Sequence, residues 1–424
     1  MVCRHGAREA SSGFPRRTVA VRALGAYLFF MQGKTSSRAF PGKAFDVAGH
    51  RLHILHEGAE RLAALLALIN EAKKTLRVFY YMFHADATGI QVRDAMIAAA
   101  LRGVSVELMI DRFGSGAINE SFFAPLIAAG ARYHSFSSRW GLGYFIRNHQ
   151  KMVIADGAFA LIGGFNITDE YFDRAGDNSW EDLGAVISGP QIPVLVAYYD
   201  KLSDLSDDGH VPFLKMRQLI RSWSPAAGPV RWLLGGPTNR ISPWARMLKL
   251  DMERTTNVDM AFAYFSPSQT ILRRIAGVVS RGGSARIILA GKTDNGATMD
   301  AARLLYGYLL KRKVQLFEFQ PRPLHMKLLV MDDVCYIGSA NLDIRSLFIN
   351  MEIMLRVEDT ALAAHFREYI TAIANRSTQQ NIDAHRRQAS FFTRIKWTLS
   401  YFLVNSVDYT IGRRIKFRML RSRL

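Results

Sequence analysis

The chain has 424 residues, about half of them apolar, which allows two or three domains with sizeable cores. Two cysteines, Cys3 and Cys335, exclude a disulfide framework and a cysteine-based zinc site. Of the formal charge of +19, residues 1–45 (eight Lys or Arg, one Glu) and 385–424 (ten, and one Asp) carry +16, which argues against a basic groove for nucleic acid and for an anionic membrane surface.

The first forty residues are Arg-rich and acid-poor, with an apolar stretch from Val19 to Met31 too short to span a bilayer. That composition fits an organellar transit peptide, an interfacial helix or a poorly ordered extension, and the last two are favoured. From Arg51 the pattern is that of a folded body. Leu52–Leu55 reads as a strand, Ala59–Lys74 as an amphipathic helix, Thr75–Phe83 as a strand and Ile90–Arg102 as a helix stopped at Gly103. Val104–Ile110 follows as a strand, and the stretch around His149 is strand again. The alternation predicts mostly parallel sheets covered by helices, an α/β fold.

The same order returns later. Val230–Leu234 is a strand, Pro243–Arg254 a helix, Val258–Tyr264 a strand, and Gln269–Ser280 a helix stopped at Arg281-Gly282. Ala285–Ala290, a helix over Ala301–Lys313 and a strand over Gln315–Phe319 lead to His325. This is a duplicated domain rather than a short-period repeat. The predicted organisation is a basic extension (1–45), a first domain (46–210), a linker (211–229), a second domain (230–378) and a basic tail (379–424). In the tail, Phe391, Ile395, Leu399, Phe402 and Leu403 share a helical face beside Arg394 and Lys396, which reads as a helix lying on lipid.

One pattern occurs in both halves: HQKMVIAD from His149 to Asp156, and HMKLLVMD from His325 to Asp332. GGFN (Gly163 to Asn166) follows the first and GSAN (Gly338 to Asn341) the second. His and Lys at period two put both side chains on one side of a strand. Lysine suits a phosphate oxygen, histidine can attack phosphorus or move a proton, and asparagine offers an amide donor. Phosphodiester cleavage wants a nucleophile and an acid for the leaving alcohol, so two copies facing each other make one site. Each imidazole also needs a group to fix its tautomer, and each half holds a downstream candidate: Asp182 and Glu352.

With these residues the chain resembles the phospholipase D superfamily, and within it the bacterial cardiolipin synthases. YMFHADATG, RGVSVELMID, GGFNITDEYF, Trp180-x-Asp182, AYFSPS, GSANLDIRS and Asn350-x-Glu352 carry the likeness over about residues 52–375. The resemblance implies two tandem α-β-α domains facing each other across one active site. It implies catalysis without metal or cofactor through a phosphohistidine, with His149 as nucleophile and His325 as acid and base. Lys151, Lys327, Asn166, Asn341 and Ser339 would hold the phosphate, with Asp156 and Asp332 as supporting groups in ion pairs. One departure is that six residues separate Asp156 from Gly163 but five separate Asp332 from Gly338; a turn must absorb the difference, or side chains change faces.

The expected activity is transfer of a phosphatidyl group from phosphatidylglycerol, or phosphatidylethanolamine, to a phosphatidylglycerol hydroxyl. A hydrolase using water and a nuclease of the same fold are the rivals. The expected partners are anionic phospholipids, not nucleic acid. The expected place is the cytoplasmic face of a bacterial inner membrane, held peripherally without a transmembrane helix. The aromatic stretch Tyr133 to Phe145, with Phe136, Trp140 and Tyr144, is a candidate lip that shields the intermediate from water.

Overall fold

A computed structural model describes residues 38–136, 146–206, 212–222, 227–238, 241–293 and 295–406. The apolar stretch before Met31, the predicted lip at Trp140 and Tyr144, and the last basic run lie outside these residues. Phe40 opens the compact unit that carries everything below.

The first half contains β1 (Lys43–Val47), β2 (His50–Leu55), α1 (Gly58–Asn70), β3 (Thr75–Tyr80), α2 (Ala87–Leu101), β4 (Ser105–Asp111), α3 (Ala124–Ala128) and β5 (Arg132–Phe136). It continues with β6 (Lys151–Ala155), β7 (Phe159–Gly163), β8 (Gly184–Ser188) and α4 (Ile192–Asp204). The second half has α5 (Phe213–Ser222), β9 (Val230–Gly235), α6 (Pro243–Arg254), β10 (Asn257–Phe262), β11 (Phe265–Ser266), α7 (Gln269–Ser280), β12 (Ser284–Ala290) and α8 (Gly296–Leu310). Then come β13 (Gln315–Phe319), β14 (Lys327–Met331), β15 (Val334–Gly338), β16 (Leu342–Asp343), α9 (Ile344–Phe348), β17 (Glu352–Glu358), α10 (Thr360–Asn375), β18 (Ser377–Gln380), α11 (Ile382–Gln388) and α12 (Phe391–Ser406).

Each half is built on an eight-stranded sheet. The first has the order β1-β2-β8-β7-β6-β3-β4-β5, the second β18-β13-β12-β10-β14-β15-β17-β9. Seven strands match one for one, and the eighth is added at opposite edges. The expectation of mostly parallel sheets is wrong. Within these two sheets only β3-β4-β5 and β10-β12-β13 run parallel, and the other pairings are antiparallel; β11 and β16 form a separate parallel pair. The helical crossovers lay down three parallel strands, and the chain then returns past the fold's first parallel strand as a hairpin. That hairpin carries the His-Lys motif: β6 pairs antiparallel with β3, and β14 with β10.

The apolar runs in β6 and β14 are buried along their whole length because both faces of each sheet are covered. Met152 and Ile154 join Leu328 and Val330 in a core shared by the two halves. Val153 and Ala155 face a core private to the first half, and Leu329 and Met331 one private to the second. The period of two thus divides each strand between an inner and an outer core. Cys335 is buried in the shared core. The matching helix stops are real in backbone terms, since Gly103 and Gly282 both take φ +88°, a conformation that suits glycine.

Two expected boundaries move. The region read as a linker holds α5, whose Met216, Leu219 and Ile220 are buried in the shared core. The basic tail begins inside the fold, because β18 pairs with β13 as an edge strand. α12 then packs on the body, with Trp397 stacked on His385 at 5.2 Å and 14° and Lys396 Nζ 2.9 Å from Asp300. Among the described residues, no helix is long and apolar enough to cross a membrane.

Candidate active site

The two motifs meet because the backbone of each half is stitched to the other. His149 N–H donates to Met351 O at 2.9 Å, and Met351 N–H donates to Arg147 O at 2.8 Å. The mirror pair is His325 N–H to Glu181 O at 2.8 Å and Glu181 N–H to Pro323 O at 2.8 Å. Each histidine therefore stands beside the residue that precedes the other half's carboxylate.

The side chains follow that exchange. His149 Nδ1 lies 3.2 Å from Glu352 Oε2, and His325 Nδ1 lies 2.8 Å from Asp182 Oδ2. The sequence puts one candidate acid downstream of each histidine, and in the structure each acid serves the other half's histidine. Both carboxylates are wholly buried. Glu352 also accepts from Ser339 Oγ and, at 2.9 Å, from Ser346 Oγ. Asp182 accepts from the backbone N–H of Leu183 at 2.7 Å.

Lys151 and Lys327 are 1% exposed. Lys151 Nζ donates to His149 O at 2.7 Å, and Lys327 Nζ donates to His325 O and lies 2.8 Å from His325 Nδ1. Asn166 and Asn341 are 2% exposed, and each keeps a side-chain oxygen without a hydrogen-bond partner. Buried amides with spare capacity are expected where a ligand completes the bonding. Asn166 Nδ2 donates to Tyr171 OH at 3.1 Å.

The site is buried and crowded with basic side chains. Burial and neighbouring Lys151 hold His149 down to about 4, although Glu352 pulls it up. Burial, Lys327 and Lys151 hold His325 well below the ordinary histidine value. Burial lowers Lys327 to about 8 against the pull of Asp182, and lowers Lys151 well below its usual range. Burial pushes Asp182 up to about 6, opposed by Lys327 and Arg61. These directions share one cause: charge is costly in a desolvated site until an anion arrives. A bound phosphodiester would raise the proton affinity of His325 and both lysines.

A family model described as "cardiolipin synthase, PLD-like domain" matches residues 65–192 and 251–374, one copy per half. The chain belongs to this family. It is 28% identical over 373 residues to cardiolipin synthase B of Escherichia coli strain K12, covering 86% of this chain and 90% of that one. It is 30% identical over 342 residues to a cardiolipin synthase A of Pseudomonas putida KT2440, covering 78% and 69%. The crystal structure of phosphatidylserine synthase from Haemophilus influenzae superposes with a TM-score of 0.68 at 15% identity, over 90% of this chain and 96% of that one. The chain is thus a cardiolipin synthase-type phosphatidyltransferase of the phospholipase D superfamily.

Two of the six residues of the doubled motif stand apart from this family member's pocket. Asp156 and Asp332 follow the far ends of β6 and β14, five strand residues from the histidine end. Asp156 accepts from the backbone N–H groups of Lys73, Lys74 and Thr75 at 2.7–3.1 Å. Asp332 accepts from Thr256 N–H, Thr256 Oγ and Asn257 N–H at 2.9 Å. Both take left-handed backbone, φ 54° and 48°, which aspartate tolerates better than most residues. They tie a hairpin turn to the start of the neighbouring strand, and among the described residues their side chains make no ion pair of the kind expected. The one-residue deletion is taken up in that turn, since Ala155 pairs with Phe159 but Met331 with Val334.

Of the expected aromatic lip, only residues 133–136 are among those described. Phe136 lies in the shared core, and Tyr133 stacks on Phe123 at 5.1 Å. Among the described residues, the rings that flank the histidines are Tyr81 beside His149 at 4.9 Å, and Tyr171, Trp180 and Tyr264 around His325 at 5.0, 5.1 and 6.4 Å. Tyr81 and Tyr264 follow the parallel strands beside the motif hairpins, a signal present in both halves and missed. Asp111 was missed too. It accepts Asn148 N–H at 2.9 Å and so braces the residue before His149. Arg61 is wholly buried and donates to the carbonyls of Asp182, Tyr171 and His56, clamping the segment that carries the acid of His325.

Proposed function

We propose that the protein makes cardiolipin by transferring a phosphatidyl group between two phosphatidylglycerol molecules, with phosphatidylethanolamine as a variant donor. The observation that carries this is the crossed pair of His-carboxylate dyads in a single buried, lysine-rich pocket. One dyad suits attack and the other proton transfer.

In this reading neutral His149, its Nδ1–H directed at Glu352, attacks phosphorus through Nε2. The bond to the head-group oxygen breaks. His325, charged once the phosphodiester is bound and steadied by Asp182, gives its proton to that oxygen, and glycerol leaves. The hydroxyl of the second phosphatidylglycerol then gives its proton to His325 while its oxygen attacks phosphorus. The phosphorus–nitrogen bond breaks and cardiolipin forms. Lys151, Lys327, Asn166, Asn341 and Ser339 hold the phosphoryl oxygens throughout. The rings of Tyr171, Trp180 and Tyr264 keep water from the intermediate, so that the lipid hydroxyl is the acceptor. Basic ends and a substrate in the bilayer support peripheral work on the cytoplasmic face of a bacterial inner membrane.

The test is lipid mass spectrometry after incubation with phosphatidylglycerol vesicles. Equal amounts of cardiolipin and glycerol are expected, and neither from His149→Ala. Phosphatidic acid without cardiolipin would make the protein a hydrolase. Nucleotide release from single-stranded DNA that depends on His149 would make it a nuclease.

A further inference from the structure

α12 is docked on one face and bare on the other. Trp397, Ser400 and Val404 are buried against the body. Phe391, Phe392, Ile395, Leu399, Phe402 and Leu403 are 43–81% exposed. At about 100° per residue, these six fall within an arc roughly 120° wide. Leu101, Ile127, Leu214 and Leu250 are also exposed, but singly and on separate elements. A contiguous apolar stripe of this kind marks an interaction surface.

The chain on either side of the stripe is predominantly basic, with Asp383 beside Arg386 at 3.5 Å and Asp300 beside Lys396 at 2.9 Å as the acidic partners. Arg386, Arg387 and Arg394 are exposed, and no acidic residue occurs from Ala384 to Val407. Six Lys or Arg follow between Arg413 and Arg423, against the single Asp408. Apolar rings flanked by cations match an interface of acyl chains beneath anionic head groups. A second copy would bring two such cationic rims together across a twofold axis, which like charges oppose.

The helix is also fastened to a wall of the active site. Ser266 Oγ donates to Asn405 Oδ1 at 3.1 Å, and Tyr401 OH reaches Pro267 O at 3.5 Å. Ser266 pairs in β11 with Asp343, two residues beyond Asn341. Two residues before Ser266 is Tyr264, whose ring flanks His325. The first half has no equivalent among the described residues: its Phe83 bridges Ile167 with no helix of this kind docked on it.

We propose that the exposed face of α12 seats the protein on an anionic bilayer. The loop it grips then lies at the lipid surface, and a head group reaches His149 and His325 while its acyl chains stay in the membrane. The choice of lipid as substrate rests on the phosphatidyl-transfer reading; the attachment surface stands on the geometry of α12.

The test is co-flotation of the full chain with vesicles of phosphatidylcholine, with and without phosphatidylglycerol. Wild type and His149→Ala are expected to bind alike, more tightly with phosphatidylglycerol. The triple variant Phe391→Ser, Phe392→Ser, Phe402→Ser is expected to bind at least about tenfold more weakly at an unchanged thermal midpoint. Arg386→Glu with Arg387→Glu is expected to lose the preference for phosphatidylglycerol. Turnover of short-chain phosphatidylglycerol dissolved as monomers should persist in the triple variant. Undiminished flotation of the triple variant overturns the proposal, as does a wild-type dimer that this variant converts to monomer. Binding without any cardiolipin would sink the transfer reading and leave the docking face standing. Cardiolipin made on vesicles equally well by the triple variant would do the reverse.

Discussion

The two halves share seven strands and one motif, yet they furnish the pocket unequally. The first half lends Asp182, with Gly164 packed so tightly that a Cβ there would lie 2.6 Å from its carboxylate and 2.9 Å from Lys327 Cδ. The second half lends Glu352, and at the position matching Gly164 it has Ser339, whose hydroxyl bonds to Glu352. His149 is thus held by a carboxylate with two further hydroxyl donors, whereas His325 is held by one that burial pushes toward protonation. Duplication supplied the parts, and exchange between the halves supplied the roles. Neither half contains a complete dyad.

The largest break in the comparison is loss of either imidazole. His149→Ala and His325→Ala should each lower cardiolipin synthesis by about 10⁴-fold or more, because the two act as a unit. Next come the crossed acids. Glu352→Gln, a second-half change, should slow formation of the first half's phosphohistidine by about 10²–10⁴-fold, and Asp182→Asn should slow proton transfer by His325 comparably. Rapid-quench kinetics separates the steps.

Ser339→Ala should cost about 5- to 100-fold in kcat/KM, the worth of one hydrogen bond to a buried carboxylate. Gly164→Ser should not import that benefit; it should harm activity through the clash with Asp182 and Lys327, as thermal melting and kcat/KM together would show.

The pH dependence sharpens the account further. Lys327, lowered to about 8, is charged below that pH and neutral above it. kcat/KM should therefore fall as pH rises through about 8. Asp182→Asn should move the fall to lower pH, since that carboxylate is the strongest force keeping the proton on Lys327.

The smallest kinetic effect belongs to the turn aspartates. Asp156→Ala and Asp332→Ala should each cost about 1–3 kcal/mol of stability with little change in kcat, because backbone donors lose their acceptor. Asn should restore part of it by tolerating φ > 0. Asp332 sits below the usual carboxylate value. Its contribution is present at neutral pH and is lost as pH falls through the folded-state value.

Much of this architecture was legible in the chain. The duplication, the helix stops at Gly103 and Gly282, and the two His-Lys strands follow from local pattern, because periodicity and glycine report local backbone. The pairing of Asp182 with His325 was not legible, because contact between residues 143 apart depends on how two sheets face each other. Strand direction failed for a related reason: alternating strands and helices look alike whether the chain next extends the sheet or doubles back beside β3. Asp156 was misread because a motif's regularity does not say which members face the chemistry. Its role lay in the hairpin turn, where the spacing difference was already visible.

In the proposed mechanism each histidine is served by the other half's acid, and His149 makes the bond to phosphorus. A phosphatidyl ester of p-nitrophenol tests it directly, since that leaving group needs no proton. His325→Ala should release about one equivalent of nitrophenolate and stop, with a phosphatidyl adduct on His149. His149→Ala should give no burst. Adding Glu352→Gln to His325→Ala should slow the burst, and adding Asp182→Asn should slow it far less when measured at a pH where Lys327 stays charged in both variants. A burst from His149→Ala with the adduct on His325, or one slowed by Asp182→Asn and indifferent to Glu352→Gln, would contradict the account.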